Sequence, residues 1–150
     1  SVMTSPGPAV QIGYEVVMFY KITLEDGSVV ESNFDADPIR FRVGDGTFDP
    51  GMEMALLGQT RGKHESLLIG PEIAFGYPDE NAVITMPKSD FPADMQVNEQ
   101  SLVSFTTPTG DSAYGVILED LGDSYKVDLN HPLAGHTFTF EYKILDVIYP

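Results

Sequence analysis

Few residues in this sequence are equipped for covalent or acid–base chemistry. Cysteine is absent, which removes thiol nucleophiles, disulfides, Cys-ligated zinc and iron–sulfur clusters together. His64, His131 and His136 are the three histidines, and none stands at i, i+3 or i+4 from another ligand on a predicted helix. They read as surface or turn histidines, although His131 and His136 are close enough in sequence to meet across a turn and hold a metal adventitiously. Asp45 to Asp49 glances at a calcium loop, but Pro50 occupies the sixth position, where that loop needs glycine. Gly44 to Gly51 is glycine-containing, yet no Lys-Ser/Thr follows, so it is not a phosphate loop. There is no G-x-S-x-G elbow. Paired carboxylates of the glycosidase kind stay open in so acidic a chain, but their abundance favours a solvated acidic face. What remains is apolar: Tyr20, Phe41, Phe48, Met52, Phe75 and Phe140, each on a different predicted stretch. Two readings stand. These residues are simply core, or they line a pocket for a reaction that needs no acid, base or nucleophile.

The elements that must position them are mostly strands. Tyr14 to Leu24 alternates with a period of two, and Glu25-Asp26-Gly27 supplies a tight turn. Val29 and Val30 restart a strand, and Ile39 to Val43 forms another. Asp49 as cap, Pro50 at the first turn and Gly58 at the end announce one short helix with the body Met52 to Leu57. Ser66 to Ile69 reads as a buried strand end. Residues 77–100 hold three prolines and few alternating runs; short strands follow at about 101–107, 113–119 and 124–129. A last strand runs from Thr137 to Ile148, and its phase slips near Leu145, which suggests a bulge. Residues 1–12 read as a tail or remnant, with order beginning near Tyr14.

With 150 residues, the chain fits one ordinary domain or a small one carrying an insertion. Its 23 acids against 8 bases give a formal net charge of −15, which disfavours nucleic-acid and anionic-membrane partners. No apolar run is long enough to span a bilayer, and no secretory signal is visible.

Several ordered motifs resemble the FKBP-type peptidyl-prolyl cis–trans isomerases. They are Val16-Val-Met-Phe-Tyr20-Lys-Ile-Thr-Leu-Glu-Asp-Gly27, Pro38-Ile-Arg-Phe-Arg-Val-Gly44, Gly51-Met-Glu-Met-Ala-Leu-Leu-Gly58, Ala74-Phe75-Gly76 and Thr137-Phe-Thr-Phe140. The stretch Tyr77-Pro-Asp-Glu-Asn81 and the return Asn130-His-Pro-Leu-Ala-Gly135 are similar to the bacterial SlyD/SlpA group, in which an insert-in-flap chaperone domain replaces the flap loop. SlyD-like chains carry a long metal-binding tail; this sequence stops at Pro150, so it resembles the short SlpA, or 16 kDa, branch, with a truncated SlyD as the other reading.

The resemblance implies a β-rich α+β fold: an FKBP-like twisted antiparallel sheet wrapped on one short helix, with an inserted, mostly β domain. It implies a discontinuous isomerase domain at 13–76 and 130–150 and an insert at 77–129. It places Tyr20, Glu31, Phe41, Met52 and Phe140 at the catalytic pocket and Val30, Ile39, Phe48, Asp49, Phe75 and Leu133 around it. Glu31 stands where aspartate is usual, Met52 where tryptophan is common, and Phe75 where the family has tyrosine, which puts macrolide binding in doubt. On this reading Tyr20 donates to the substrate carbonyl, the Asp49 N–H binds the peptide main chain, and Glu31 orients the Tyr20 hydroxyl or faces the rotated carbonyl. Glu31 also reads as a plain exposed strand carboxylate. The apolar surface of the insert would be Val83, Ile84, Met86, Phe91, Met95 and Val97, which would otherwise pack the small domain's own core. The implied partners are proline-containing and unfolded or nascent polypeptides, with no cofactor and no metal, for a cytoplasmic monomer. The competing function is a peptide-binding holdase whose isomerase pocket is vestigial.

Overall fold

β1 (Glu15–Thr23) alternates as its sequence predicts: Val16, Met18, Tyr20 and Ile22 are buried and the residues between them half-buried. It pairs antiparallel along its whole length with β9 (Phe138–Ile148), with Tyr20 opposite Tyr142 and Ile22 opposite Phe140. The slip expected near Leu145 is a bulge: Val17 pairs with Asp146 but Met18 with Ile144. β9 is central, because β4 (His64–Ile69) takes its other edge. On the far edge of β1 sit both β2 (Val29–Ser32) and β3 (Ile39–Arg42), one beyond the other. This computed structural model describes residues 5–93, 97–106, 110 and 112–150. The chain divides into two units, one running to Gly76 and resuming at Gly135, the other Tyr77–Ala134.

In the first unit the inner sheet face packs on α1 (Pro50–Met54). Asp49 caps it by accepting the Gly51 N–H at 2.8 Å. The regular helix is shorter than its sequence suggests, because the next bonds close tightly, from Ala55 N–H to Met52 O and from Leu56 N–H to Glu53 O. Gly51 is obligatory for another reason: a Cβ there would lie 2.1 Å from the Ile73 carbonyl oxygen. The core holds Met18, Met52, Leu56, Phe138, Phe140, Tyr142 and Ile144, all at 2% exposure or less.

Two sequence expectations need correction here. β4 is not a buried strand end: only Ile69 is buried, and Leu68 is 71% exposed, as an edge strand permits. Residues 5–12 are not a loose tail throughout, since Val10 is 1% exposed and exchanges backbone hydrogen bonds with Gln59 and Gly58. An apolar side chain held at both N–H and C=O gains enough to offset its lost freedom.

The second unit is a four-stranded antiparallel sheet in the order β5-β8-β7-β6, formed by β5 (Val83–Pro87), β6 (Leu102–Thr106), β7 (Ser112–Asp120) and β8 (Ser124–Asp128). Its core is small: Val103, Ile117 and Val127, ringed by partly buried Met86, Phe91, Val97, Tyr125 and Leu129. Gly115 lets β7 approach this core, where a Cβ would meet Val127 Cγ1 at 2.5 Å. The segment that reads as unpatterned contains β5. It is an edge strand over a small core, so its burial does not alternate.

Candidate active site

The first unit brings together most of the residues singled out from sequence. Phe48 is the hub. Its ring meets Tyr20 edge-on at 5.0 Å, Phe41 at 4.8 Å and Phe140 at 6.2 Å between centroids. Tyr20 comes from β1, Phe41 from β3, Phe140 from β9, and Phe48 from the loop leading into α1, whose Met52 is 2% exposed. Phe41, Met52 and Phe140 are sealed at 4%, 2% and 0%. Tyr20 and Phe48, at 6% and 7%, are nearly as closed, so the five side chains form one buried cluster. Of the residues expected around the pocket, Val30 is 46% exposed, and Ile39, Asp49 and Phe75 are half-buried. Phe75 lies against Phe138 at 5.8 Å. Leu133 is buried but belongs to the second unit.

The one polar feature of this cluster is the Tyr20–Glu31 pair. Glu31 lies opposite Ile22 on β2, and its carboxylate accepts the Tyr20 hydroxyl proton in a short hydrogen bond. Burial, followed by that bond and the nearby negative charge, pushes the Tyr20 hydroxyl well above the ordinary tyrosine range. Tyr20 therefore stays protonated, with its single proton committed to Glu31. The expected donation from Tyr20 to a substrate carbonyl would require breaking that bond; as built, the hydroxyl oxygen offers an acceptor. The Asp49 N–H has no protein partner among the described residues and remains the better main-chain donor.

Sequence reasoning missed three supports. Glu53, 7% exposed, accepts the Gly44 N–H at 2.7 Å and so ties α1 to the start of the loop carrying Phe48. Asn33 accepts the Tyr20 N–H. Tyr142 donates from the sheet to Ala55 O at 2.9 Å, at the end of α1, with Glu65 3.0 Å away. Burial raises its hydroxyl too, followed by the Glu65 hydrogen bond and charge. The adjacent Met52-Glu53 pair was the available signal, because an acid beside a buried helix residue needs a partner.

Of the residues expected to form an apolar surface on the second unit, Met86, Phe91 and Val97 pack on its core instead. Phe91 meets Tyr125 edge-on at 5.3 Å. Ile84 is 38% exposed, Val83 is half-buried, and Met95 lies outside the described residues. A hollow of about 390 Å³ in this unit is lined by Leu102, Tyr114, Leu129, Asn130, His131 and Pro132. Among the described residues no cluster of His, Asp and Glu could hold a metal, and no helix is long and apolar enough to cross a membrane.

A family model described as FKBP-type peptidyl-prolyl cis-trans isomerase matches residues 7–96. A probable FKBP-type 16 kDa peptidyl-prolyl cis-trans isomerase of Pseudomonas fluorescens is 41% identical over 133 residues, 89% of this chain and 88% of the relative. The FKBP-type 16 kDa enzyme of Escherichia coli is 33% identical over 140 residues, 93% of this chain and 94% of the relative. The isomerase SlyD of Aeromonas hydrophila is 33% identical over 133 residues, 88% of this chain and 61% of the relative. A buried cluster of aromatic and methionine side chains, a family match over more than half of the sequence and the two 16 kDa relatives aligned along about nine-tenths of their length lead to one conclusion: the chain belongs to the FKBP-type peptidyl-prolyl cis–trans isomerase family.

Proposed function

We propose that this chain rotates Xaa-Pro bonds of unfolded or nascent polypeptides at the Phe48-centred cluster, and that its second unit holds those polypeptides in the cytoplasm. The observation that carries the first half is the cluster of buried aromatic rings Tyr20, Phe41, Phe48 and Phe140, drawn from three strands and the loop before α1. The proline ring packs against this Phe48-centred cluster, bordered by Val30, Ile39 and Phe75. Leu133 belongs to this binding set on the resemblance alone.

The barrier to rotation, about 18–20 kcal/mol, comes from amide resonance. Twisting the C–N bond abolishes that resonance and the charge separation that it creates. A site less polar than water therefore favours the twisted amide over the planar one. No bond to the enzyme is made. A 10⁴-fold acceleration needs only about 5.5 kcal/mol of such preference. The Asp49 N–H holds the peptide main chain. The Tyr20 oxygen, its proton turned to Glu31, accepts from a substrate N–H rather than donating to the carbonyl.

Support for the holding function is the hollow of Leu102, Tyr114, Leu129 and Pro132, with Leu102 and Tyr114 about 60% exposed. Apolar surface left open on so small a unit suits transient contact with unfolded chains, and tethering raises client concentration near the isomerase unit.

The test is refolding of a protein limited by a trans-to-cis prolyl step, with this chain at sub-stoichiometric concentration. Acceleration establishes turnover. An unchanged slow phase with suppressed aggregation replaces this reading with the holdase.

A further inference from the structure

One edge of β1 is shared between two partners, and the break falls beside Tyr20. β3 pairs with Glu15 to Met18 and β2 with Lys21 to Thr23. Phe19 and Tyr20 face no strand on that side. Asn33, in the connection between β2 and β3, fills the gap. Its Oδ1 accepts the Tyr20 N–H at 2.6 Å, and its own N–H donates to the Tyr20 carbonyl at 3.1 Å. Its Nδ2 donates to Met18 O at 3.3 Å and to Asp37 O at 3.4 Å. A side-chain amide carries the same acceptor and donor groups as a peptide unit, so it can stand in for the missing strand. The next residue grips the other face. Phe34 stacks on Phe19 at 5.7 Å and lies 5.9 Å from the His64 ring. Because successive strand residues alternate, Tyr20 points into the core and Phe19 outward. Asn33 and Phe34 together hold this part of β1 at its edge and on its outer face. Two residues before Asn33 stands Glu31, which receives the Tyr20 hydroxyl proton.

We propose that Asn33 is a positioning residue for the isomerase reaction: it sets the register of Tyr20 against Glu31 where β2 and β3 part. The proposal rests on the reading that the Tyr20–Glu31 pair belongs to the site. The test is a cycle in the full chain, with kcat and KM measured separately on a short Xaa-Pro peptide and native fold checked by near-UV circular dichroism. Asn33→Ala should lower kcat by roughly 10-fold with KM little changed, the scale of a small misplacement of a working group. Asn33→Asp keeps the acceptor for the Tyr20 N–H and should stay within about three-fold of the parent. In a Tyr20→Phe background, Asn33→Ala should cost almost nothing further, because the group that it positions is gone. A full additional loss there would mean that Asn33 only supports the fold, and would overturn the proposal. If Tyr20→Phe is impaired and Asn33→Ala is fully active, the role of Asn33 alone fails. If Tyr20→Phe is itself fully active, the site reading fails and this proposal with it. Should Asn33→Ala not fold, Asn33→Ser, whose shorter side chain does not reach the Tyr20 N–H, takes its place in the cycle.

Discussion

The two units of this chain solve the burial problem differently. The first seals Tyr142, Phe138, Phe140, Met18 and Leu56 between a sheet and a five-residue helix. Among the described residues, the core of the second is Val103, Ile117 and Val127, with Leu133 also buried, while Leu102, Tyr114 and Leu121 are left about half exposed or more. Surface-to-volume scaling explains the contrast, since a small unit cannot enclose all its apolar side chains. Both units keep exposed apolar side chains, among them Leu68 and Met54 on the first and Leu102 and Tyr114 on the second. The lesson is that precise geometry, such as the Tyr20–Glu31 pair, sits on the larger core.

The sharpest way to break this comparison is to hollow each core in turn. Phe140→Ala removes a completely buried ring and should cost about 3–5 kcal/mol. Urea denaturation checks it, and a loss below about 1 kcal/mol would deny the sealed core. Phe140 is thus a poor probe of catalysis, because its loss damages the fold first. Ile117→Ala should cost about 2–4 kcal/mol and strip hydrogen-exchange protection from residues 77–134 while β1 and β9 keep theirs. Simultaneous loss in both units would mean that they do not differ as described.

Gly51→Ala sharpens the comparison within the first unit. Its Cβ would fall 2.1 Å from the Ile73 carbonyl oxygen, so α1 and the 70–76 loop must part. Peptide isomerisation should drop roughly 10-fold or more, more than the thermal midpoint suggests.

The smallest effect is alkaline. Unfolded, Tyr20 and Tyr142 ionise near 10; folded, both hold their protons higher, chiefly because they are buried. Above that pH the unfolded state binds fewer protons than the folded one, so stability falls as pH rises. Tyr142→Phe should make that fall shallower in denaturation series from about pH 9 to 11. An unchanged slope would remove Tyr142 from the account.

Much of this was legible from residue order. The alternation of β1 and β9, the bulge near Leu145 and the Asp49-Pro50 helix start are local signals, written in period and cap chemistry. The cluster of Tyr20, Phe41, Phe48, Met52 and Phe140 was visible as a set, but not that all five are closed to solvent. Burial depends on what packs on top, which one residue's type does not reveal. β5 escaped notice because an edge strand on a small core has no period to read. Asn33 was invisible because its partner, the Tyr20 N–H, is a backbone group that carries no sequence signature, and the partner of Glu53, the Gly44 N–H, could not be named for the same reason.

The place of β9 in the sheet has a consequence for how the molecule is made. β9, which leaves the ribosome after every other strand of its sheet, is not an edge but the centre, lying between β1 and β4. Until Phe138 to Ile148 emerge, β1 and β4 have no partner between them, and Tyr142 cannot reach Ala55 at the end of the helix. The segment Tyr77–Ala134 is continuous and complete before then. Synthesis therefore delivers the second unit first, while the first unit waits for β9. A ribosome stalled before β9 would display a folded second unit beside an unfinished first one.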